Sequence, residues 1–325
     1  MLIPSGTLYA YDLPSVNLGF TSFLDGGPPA GPGIYFAQYI QNYNSENLKN
    51  HDGEDALPPI ADEYLEAWIG LTQFLYQSDK ELIAGGKWGV DVIVPVVGLD
   101  IDYATDNPAF PQDNGGGIGD ILIGPYLQWD PVMGKNGPIF MHRIEFQMIF
   151  PTGEHDENRE LNAGSGFFSL NPYWAGTLFL TPKLTATTRI HYLWNGENDD
   201  PSRQYRAMGT EMGVETQNTK AGQAVHANFA MAYEVIPQRM RIGINGYYLT
   251  QITDTQVNGK DIPDSRRLLQ ERFLLKRILL KKILQERILL EKILYKRILP
   301  ERILLKRILN KRILQMLIIS PIIRD

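Results

Sequence analysis

The residues through which this chain could do chemistry are five histidines, several groups of carboxylates and one glycine cluster. His51, His142, His155, His191 and His226 are scattered, with no HExxH and no other paired ligand spacing. A hydrogen-bonded histidine is the ordinary reading of each, so no metal ligand is assigned. Asp52, Glu54, Asp55, Asp100, Asp102 and Asp106 lie in polar stretches. Calcium takes oxygen ligands of this kind, but no EF-hand spacing is present and solvated loops account for them. The cluster NGGGIGDILIG (Asn114–Gly124) fits G-x-G-x-x-G in no register and leads into a strand pattern, with no Walker lysine after it. There is no G-x-S-x-G elbow. The chain has no cysteine, which removes disulfides, thiolate metal sites and a thiol nucleophile. The residues point away from an enzyme, and no cofactor is implied.

The elements that carry the polar residues are strands. In FMHRIEFQMIF, Phe140, Ile144, Phe146, Met148 and Phe150 share one parity, broken only by His142, and Met141, Arg143, Glu145 and Gln147 share the other. Successive side chains of a strand point to opposite faces, so this is an apolar face backed by a charged one. Three further stretches repeat the pattern. Arg189 and His191 oppose Ile190, Tyr192 and Trp194; His226, Asn228 and Glu234 oppose Phe229, Met231 and Tyr233; Arg241 and Asn245 oppose Ile242, Ile244 and Tyr248. The polar sets together give ten candidates for a wet interior: Arg143, Glu145, Gln147, Arg189, His191, His226, Asn228, Glu234, Arg241 and Asn245.

About nine such strands are predicted, at roughly 33–45, 64–76, 82–100, 117–129, 139–150, 165–180, 184–196, 222–235 and 240–252. Pro125 inside the fourth suggests a bulge or kink. Short turns at 77–82, 181–183 and 236–239 alternate with long polar loops at 45–63, 102–115, 151–164 and 196–222. That alternation fits an all-β fold, an antiparallel transmembrane β-barrel. Trp68, Tyr126, Trp129, Tyr173, Trp174, Tyr192, Trp194 and Tyr248 are the candidates for its aromatic girdles. A soluble antiparallel barrel or sandwich gives the same alternation with the apolar parity as its core. The charged opposite parity and the aromatic outer one favour the membrane form. Bacterial single-chain barrels have even strand numbers, so nine leaves the body unfinished.

The stretches NLGFTSFLDGGPPAGPGIYFAQYIQNYNSENLKN, GIGDILIGPYLQWDP, FPTGEHDENRELNAGSGFFSLNPYWAGTLFLTPKL and GQAVHANFAMAYEVIPQRMRIGINGYYLTQITD resemble the MetA-pathway of phenol degradation family, over about residues 12–267. The resemblance implies a Gram-negative outer-membrane barrel and passive uptake of small hydrophobic or aromatic compounds. The partners it implies are outer-membrane lipid, such solutes and the barrel-assembly machinery. A non-transporting structural or lipid-binding barrel is the alternative.

Both ends depart from that pattern. Residues 1–10 read either as the remnant of a signal peptide or as an ordinary start, and 11–32 form an N-terminal segment before the barrel domain at 33–266. From Arg266 on, 17 Lys and Arg face 5 Asp and Glu, a net of +12 against -18 for the rest. The tail at 267–325 repeats in fives, as in KRILL, ERILL and KRILN. Five residues turn a helix by about 500°, so the apolar pairs spiral and form no stripe. An odd period also swaps faces in a strand. Composition favours a helix if the tail is ordered. A translated DNA repeat, the product of a frameshift, explains the strict five better than either geometry. Its charge comes without interleaved aromatics, so no nucleic-acid partner is assigned.

Overall fold

The computed structural model describes residues 13, 14, 16–19, 21–46, 57, 58, 61–108, 110–211, 213–237, 239–263, 265, 266 and 268–279. Ten long strands follow one another: β1 (Gly33–Ser45), β2 (Tyr64–Ile83), β3 (Gly86–Asp102), β4 (Ile121–Gln128), β5 (Gly137–Glu145), β6 (Tyr173–Phe179), β7 (Leu184–Asn195), β8 (Ala224–Ile236), β9 (Met240–Gln251) and β10 (Leu268–Leu279). Each is the neighbour of the next in a single sheet. The registers from β1 to β8 are antiparallel. Among the described residues no ladder joins β10 back to β1.

Two faces of this sheet decide what kind of protein it is. On the exposed face stand Phe36, Trp68, Phe74, Ile144, Ile190, Tyr192, Met231, Tyr233 and Tyr248. On the buried face stand Asp91, Gln128, Arg143, Glu145, His191, His226, Asn228 and Asn245. Burying a large apolar side chain is worth about 1.5–3 kcal/mol, so a soluble sheet turns such a face inward. This sheet does the reverse. Apolar outside and polar inside is the pattern of a barrel that meets hydrocarbon.

Contacts divide the chain into two units, 1–235 with 242–277, and 236–241 with 278–325. The first contains nearly all of the sheet. In the second, a tight turn follows the end of β8, where Arg239 N donates to Ile236 O at 3.0 Å.

Three expectations need correction. First, the turn expected at 77–82 is strand; β2 runs on to Ile83, and the reversal falls at Ala84 and Gly85, both with positive φ. Glycine takes that conformation freely, and alanine only under strain. Second, a tenth strand occurs where the tail was expected to be helical. The edge of β9 leaves a row of unpaired N–H and C=O groups, each costing about 1–3 kcal/mol if buried unsatisfied. Helix propensity distinguishes Leu, Lys and Arg from ordinary residues by only a few tenths of a kcal/mol each, so pairing wins. The rest of the tail lies outside the described residues. Third, Tyr126 and Tyr173 are no part of an outer girdle; both are buried, 3 % and 5 % exposed. Tyr126 shares the parity of Gln128, and Tyr173 opposes the half-buried Trp174, so the zigzag carries both inward.

Where a bulge was expected at Pro125, pairing is interrupted without one: the register is the same on either side, with Tyr126 opposite Glu145 and Ile123 opposite Met148. Proline offers no N–H, and β5 breaks off opposite it at Phe146, whose own N–H donates to Pro125 O at 2.9 Å. Pairing resumes on the short strand Met148–Phe150.

Candidate functional site

The buried face of β3 to β9 carries a connected set of polar and aromatic side chains. Arg143 and Glu145 are two apart on β5, and Arg143 Nη2 donates to Glu145 Oε2 at 2.5 Å. The same oxygen accepts from the Tyr173 hydroxyl, directly opposite on β6, at 2.6 Å. Asp91 on β3 lies 3.8 Å from Arg143 and accepts from Gln73 Nε2 at 2.6 Å. An unpaired ion in such surroundings costs several kcal/mol, so these partners are what permit the charges here. Gly124, paired with Asp91 in register, makes room: a Cβ there would sit 2.8 Å from the Glu145 carboxyl carbon.

Stacking extends the set across the strands. The Arg143 guanidinium lies 4.2 Å from the Tyr126 ring and that of Arg189 lies 4.7 Å from the Tyr173 ring. Tyr173 and His191 have centroids 4.7 Å apart. His191 and His226, opposite each other on β7 and β8, stack at 4.0 Å and 14°. Cation–π contacts of this kind contribute about 0.5–2 kcal/mol each. His226 Nε2 faces Asn171 Oδ1 at 3.0 Å, and Asn171 Nδ2 donates to Gln147 Oε1 at 2.8 Å.

The N-terminal segment runs along this face. Leu13 packs with Phe167, Leu193, Ala224 and Leu249 near the long loops, and Val16 and Leu18 join that cluster. Asn228 then brackets the main chain: its Oδ1 accepts from Gly19 N and its Nδ2 donates to Asn17 O, both at 2.7 Å. Asn245 Nδ2 donates to Gly19 O at 2.6 Å. Further on, Thr187 donates to Phe23 O at 2.9 Å, and Asp25 pairs with Arg189 at 3.2 Å. Gly26 N donates to Thr177 Oγ1, and Gln128 Nε2 donates to Gly26 O, both at 3.0 Å. Most of the hydrogen bonds that tie the segment to the strands are to its backbone.

Of the ten candidates from sequence, Arg143, Glu145, Gln147, Arg189, His191 and His226 belong to the connected set. Asn228 and Asn245 hold the N-terminal segment. Glu234 is half-buried near the short turn, its N–H donating to Lys183 O at 2.8 Å. Arg241 is buried and belongs to the second unit. His142 is on the other face, stacked on Trp129 at 4.4 Å. His155 sits in the loops, its ring nitrogens facing Gly164 O and Asp200 O at 3.3 and 3.2 Å. Asp100, Asp102 and Asp106 are exposed; His51, Asp52, Glu54 and Asp55 lie outside the described residues.

Sequence reasoning missed Asp25, Asp91, Gln128 and Thr177. Asp91 did carry a signal, as the one charge inside the apolar run VDVIVPVV.

The long loops are tied by Arg203, at the start of the helix α1 (Arg203–Glu211). Its guanidinium grips Glu160 through two nitrogens at 3.1 and 3.2 Å and donates to Pro108 O at 2.9 Å. In the same region Tyr103 donates to Pro111 O at 2.6 Å. Burial, and then the carboxylates of Glu63, Glu160 and Asp113, push its phenol above the usual range.

Comparison with known proteins agrees with this geometry. The sequence profile of the family described as "Putative MetA-pathway of phenol degradation" matches residues 46–268, and the chain belongs to that family. No curated protein matches the chain. Among solved structures, it is similar to the COG4313 outer membrane channel from Pseudomonas putida F1. That likeness has a TM-score of 0.55 at 16% identity, over 74% of this chain and 79% of the other. At such low identity the likeness is one of fold.

Proposed function

We propose that this chain is an outer-membrane channel for the passive uptake of small hydrophobic or aromatic compounds. The observation that carries the reading is the inverted sheet: an apolar exposed face, and a buried face that holds a ladder of rings and cations. The ladder runs from Tyr126 and Arg143 through Tyr173 and Arg189 to His191 and His226. The exposed face meets lipid after insertion by the barrel-assembly machinery. Solute moves down its gradient along the inner face, which Arg143, Glu145, Gln147, Arg189, His191, His226, Asn228 and Asn245 line. A flat ring slides over the stacked groups, and a polar substituent exchanges hydrogen bonds with the carboxylates and amides.

One observation favours a second reading, a barrel that does not transport. The segment at 16–19 and 21–27 lies on the same face and takes up many of its hydrogen bonds. Swelling of proteoliposomes in a small aromatic solute separates the two. A channel gives protein-dependent flux that exceeds the flux of a sugar of equal mass. Flux equal to that of protein-free liposomes for every solute supports the structural barrel instead.

A further inference from the structure

We infer that the lipid-facing side of β1 is an interface between two copies of this chain, which pair the amides of their Gln38 residues across a two-fold axis. Side chains alternate along β1, and Phe36, Gln38 and Ile40 share the exposed parity. Gln38 is opposite Thr72 of β2 in register. Thr72 is midway between Trp68 and Tyr76, both exposed on the same face, with about 13 Å of strand on each side. Aromatic residues mark the two margins of an apolar band about 25 Å tall, so Gln38 sits near its middle.

The amide at this depth is only half used. Thr72 Oγ1 donates to Gln38 Oε1 at 2.8 Å. Among the described residues, Gln38 Nε2 reaches only Tyr39 O, at 3.5 Å, the limit of a hydrogen bond. Hydrocarbon holds no water and offers an N–H no acceptor. A primary amide has two hydrogens on its nitrogen and two lone pairs on its oxygen. A second amide therefore supplies what the first lacks: each Nε2 donates to the other Oε1, and each Oε1 keeps its bond from Thr72.

Symmetry selects a second copy of this chain as the source of that amide. Two copies inserted in one membrane share an orientation, so their two-fold axis is perpendicular to it and like residues meet at equal depth. The surface around Gln38 leaves room for the contact. Gly70, opposite Ile40, has no side chain, and a Cβ there would meet nothing nearer than Val96 O at 3.7 Å and Gln38 Nε2 at 3.9 Å. Small residues beside hydrogen-bonding side chains are what associate elements within a bilayer. Phe36 and Ile40, 63 % and 62 % exposed, flank the amide and shield the pair from lipid. β1 contains no charged residue, so two copies meet there without repulsion. The inference rests on this side of the sheet meeting lipid and is independent of transport.

The test uses the full chain reconstituted in lipid bilayers. The chain has no cysteine, so single cysteines report the contact. Under mild oxidation the Gln38→Cys variant should form a covalent dimer at least tenfold faster than the Ile190→Cys variant, which also faces lipid but on β7. In detergent, sedimentation should show a dimer for the unmodified chain. Gln38→Leu, which suits lipid, should weaken that dimer at least tenfold, and Gly70→Leu, which fills the space beside the amide, should do the same. Equal cross-linking of the two cysteine variants, or a dimer that Gln38→Leu leaves unchanged, overturns the inference. A monomer at every concentration of the unmodified chain overturns it without recourse to any variant.

Discussion

Arg189 on β7 holds Asp25 of the N-terminal segment in an ion pair of 3.2 Å, with the two side chains only 17% and 6% exposed. Among the described residues it is a charged contact in a segment whose other long-range hydrogen bonds are mostly to its backbone, and it ties residues 164 positions apart in the chain. Removing one member of a buried pair leaves the other uncompensated, at about 3–5 kcal/mol. Asp25→Ala should therefore loosen the segment without disturbing the sheet. The chain has no cysteine, so a single one placed at Asn17 reports the change. Its reaction with a thiol reagent should be more than tenfold faster in the Asp25→Ala background. Equal rates would mean the ion pair does not hold the segment.

Gly26 offers a steric version of the same experiment. A Cβ at this position would meet the backbone of Met141, Thr177 and Gly176, with Thr177 N at 2.6 Å. Those atoms belong to paired strands and cannot move aside. Gly26→Val should expel this part of the segment and expose it to protease, and heat-modifiability on gels should show the sheet intact. A protease pattern like that of the unmodified chain would count against the close approach.

The two faces of the sheet respond differently to charge. Ile190 is 46 % exposed on the apolar face near the middle of β7. Ile190→Arg there should cost about 2–4 kcal/mol and impair membrane insertion. Glu145→Gln on the buried face should insert normally and change flux. The opposite outcome, normal insertion for Ile190→Arg and failure for Glu145→Gln, would show the faces to be inverted.

Gly89 on β3 carries the Tyr126 ring directly over it, which lets the hydroxyl reach Tyr76 O and Gln77 Oε1, both at 3.0 Å. An aromatic ring laid over a strand glycine makes up for the glycine's own poor strand propensity. Gly89→Ala should push the ring away and break both bonds, at about 1 kcal/mol each. The urea midpoint of unfolding should fall, whereas Gly85→Ala, beside open space, should change it less despite its positive φ of 78°. Equal midpoints for Gly89→Ala and the unmodified chain would contradict the packing described.

Much of this was legible in the sequence for one physical reason: strands have a period of two, and here the two parities differ sharply in polarity. Arg143, Glu145, His191 and His226 could be placed on the buried face from that alone. Tyr126 and Tyr173 were misplaced because residue type was weighed above parity. The N-terminal segment could not be read, since Asn228, Asn245, Thr177 and Gln128 bind its main chain, which carries no side-chain pattern. β10 was hidden for a related cause. Its five-residue period has no consistent face, and backbone pairing does not require one.

The most direct test of the central claim, that solute passes along the inner face where residues 16–19 and 21–27 lie, is to lock that segment in place. Asp25→Cys with Arg189→Cys replaces the ion pair by two thiols, in a chain with no other thiol, and a short bis-methanethiosulfonate reagent joins them reducibly across the space the arginine side chain spanned. Proteoliposome swelling in a small aromatic solute is then measured before and after reduction. Flux should be low with the bond formed and rise at least severalfold when it is broken. Equal flux in the two states would place the passage elsewhere and contradict the account.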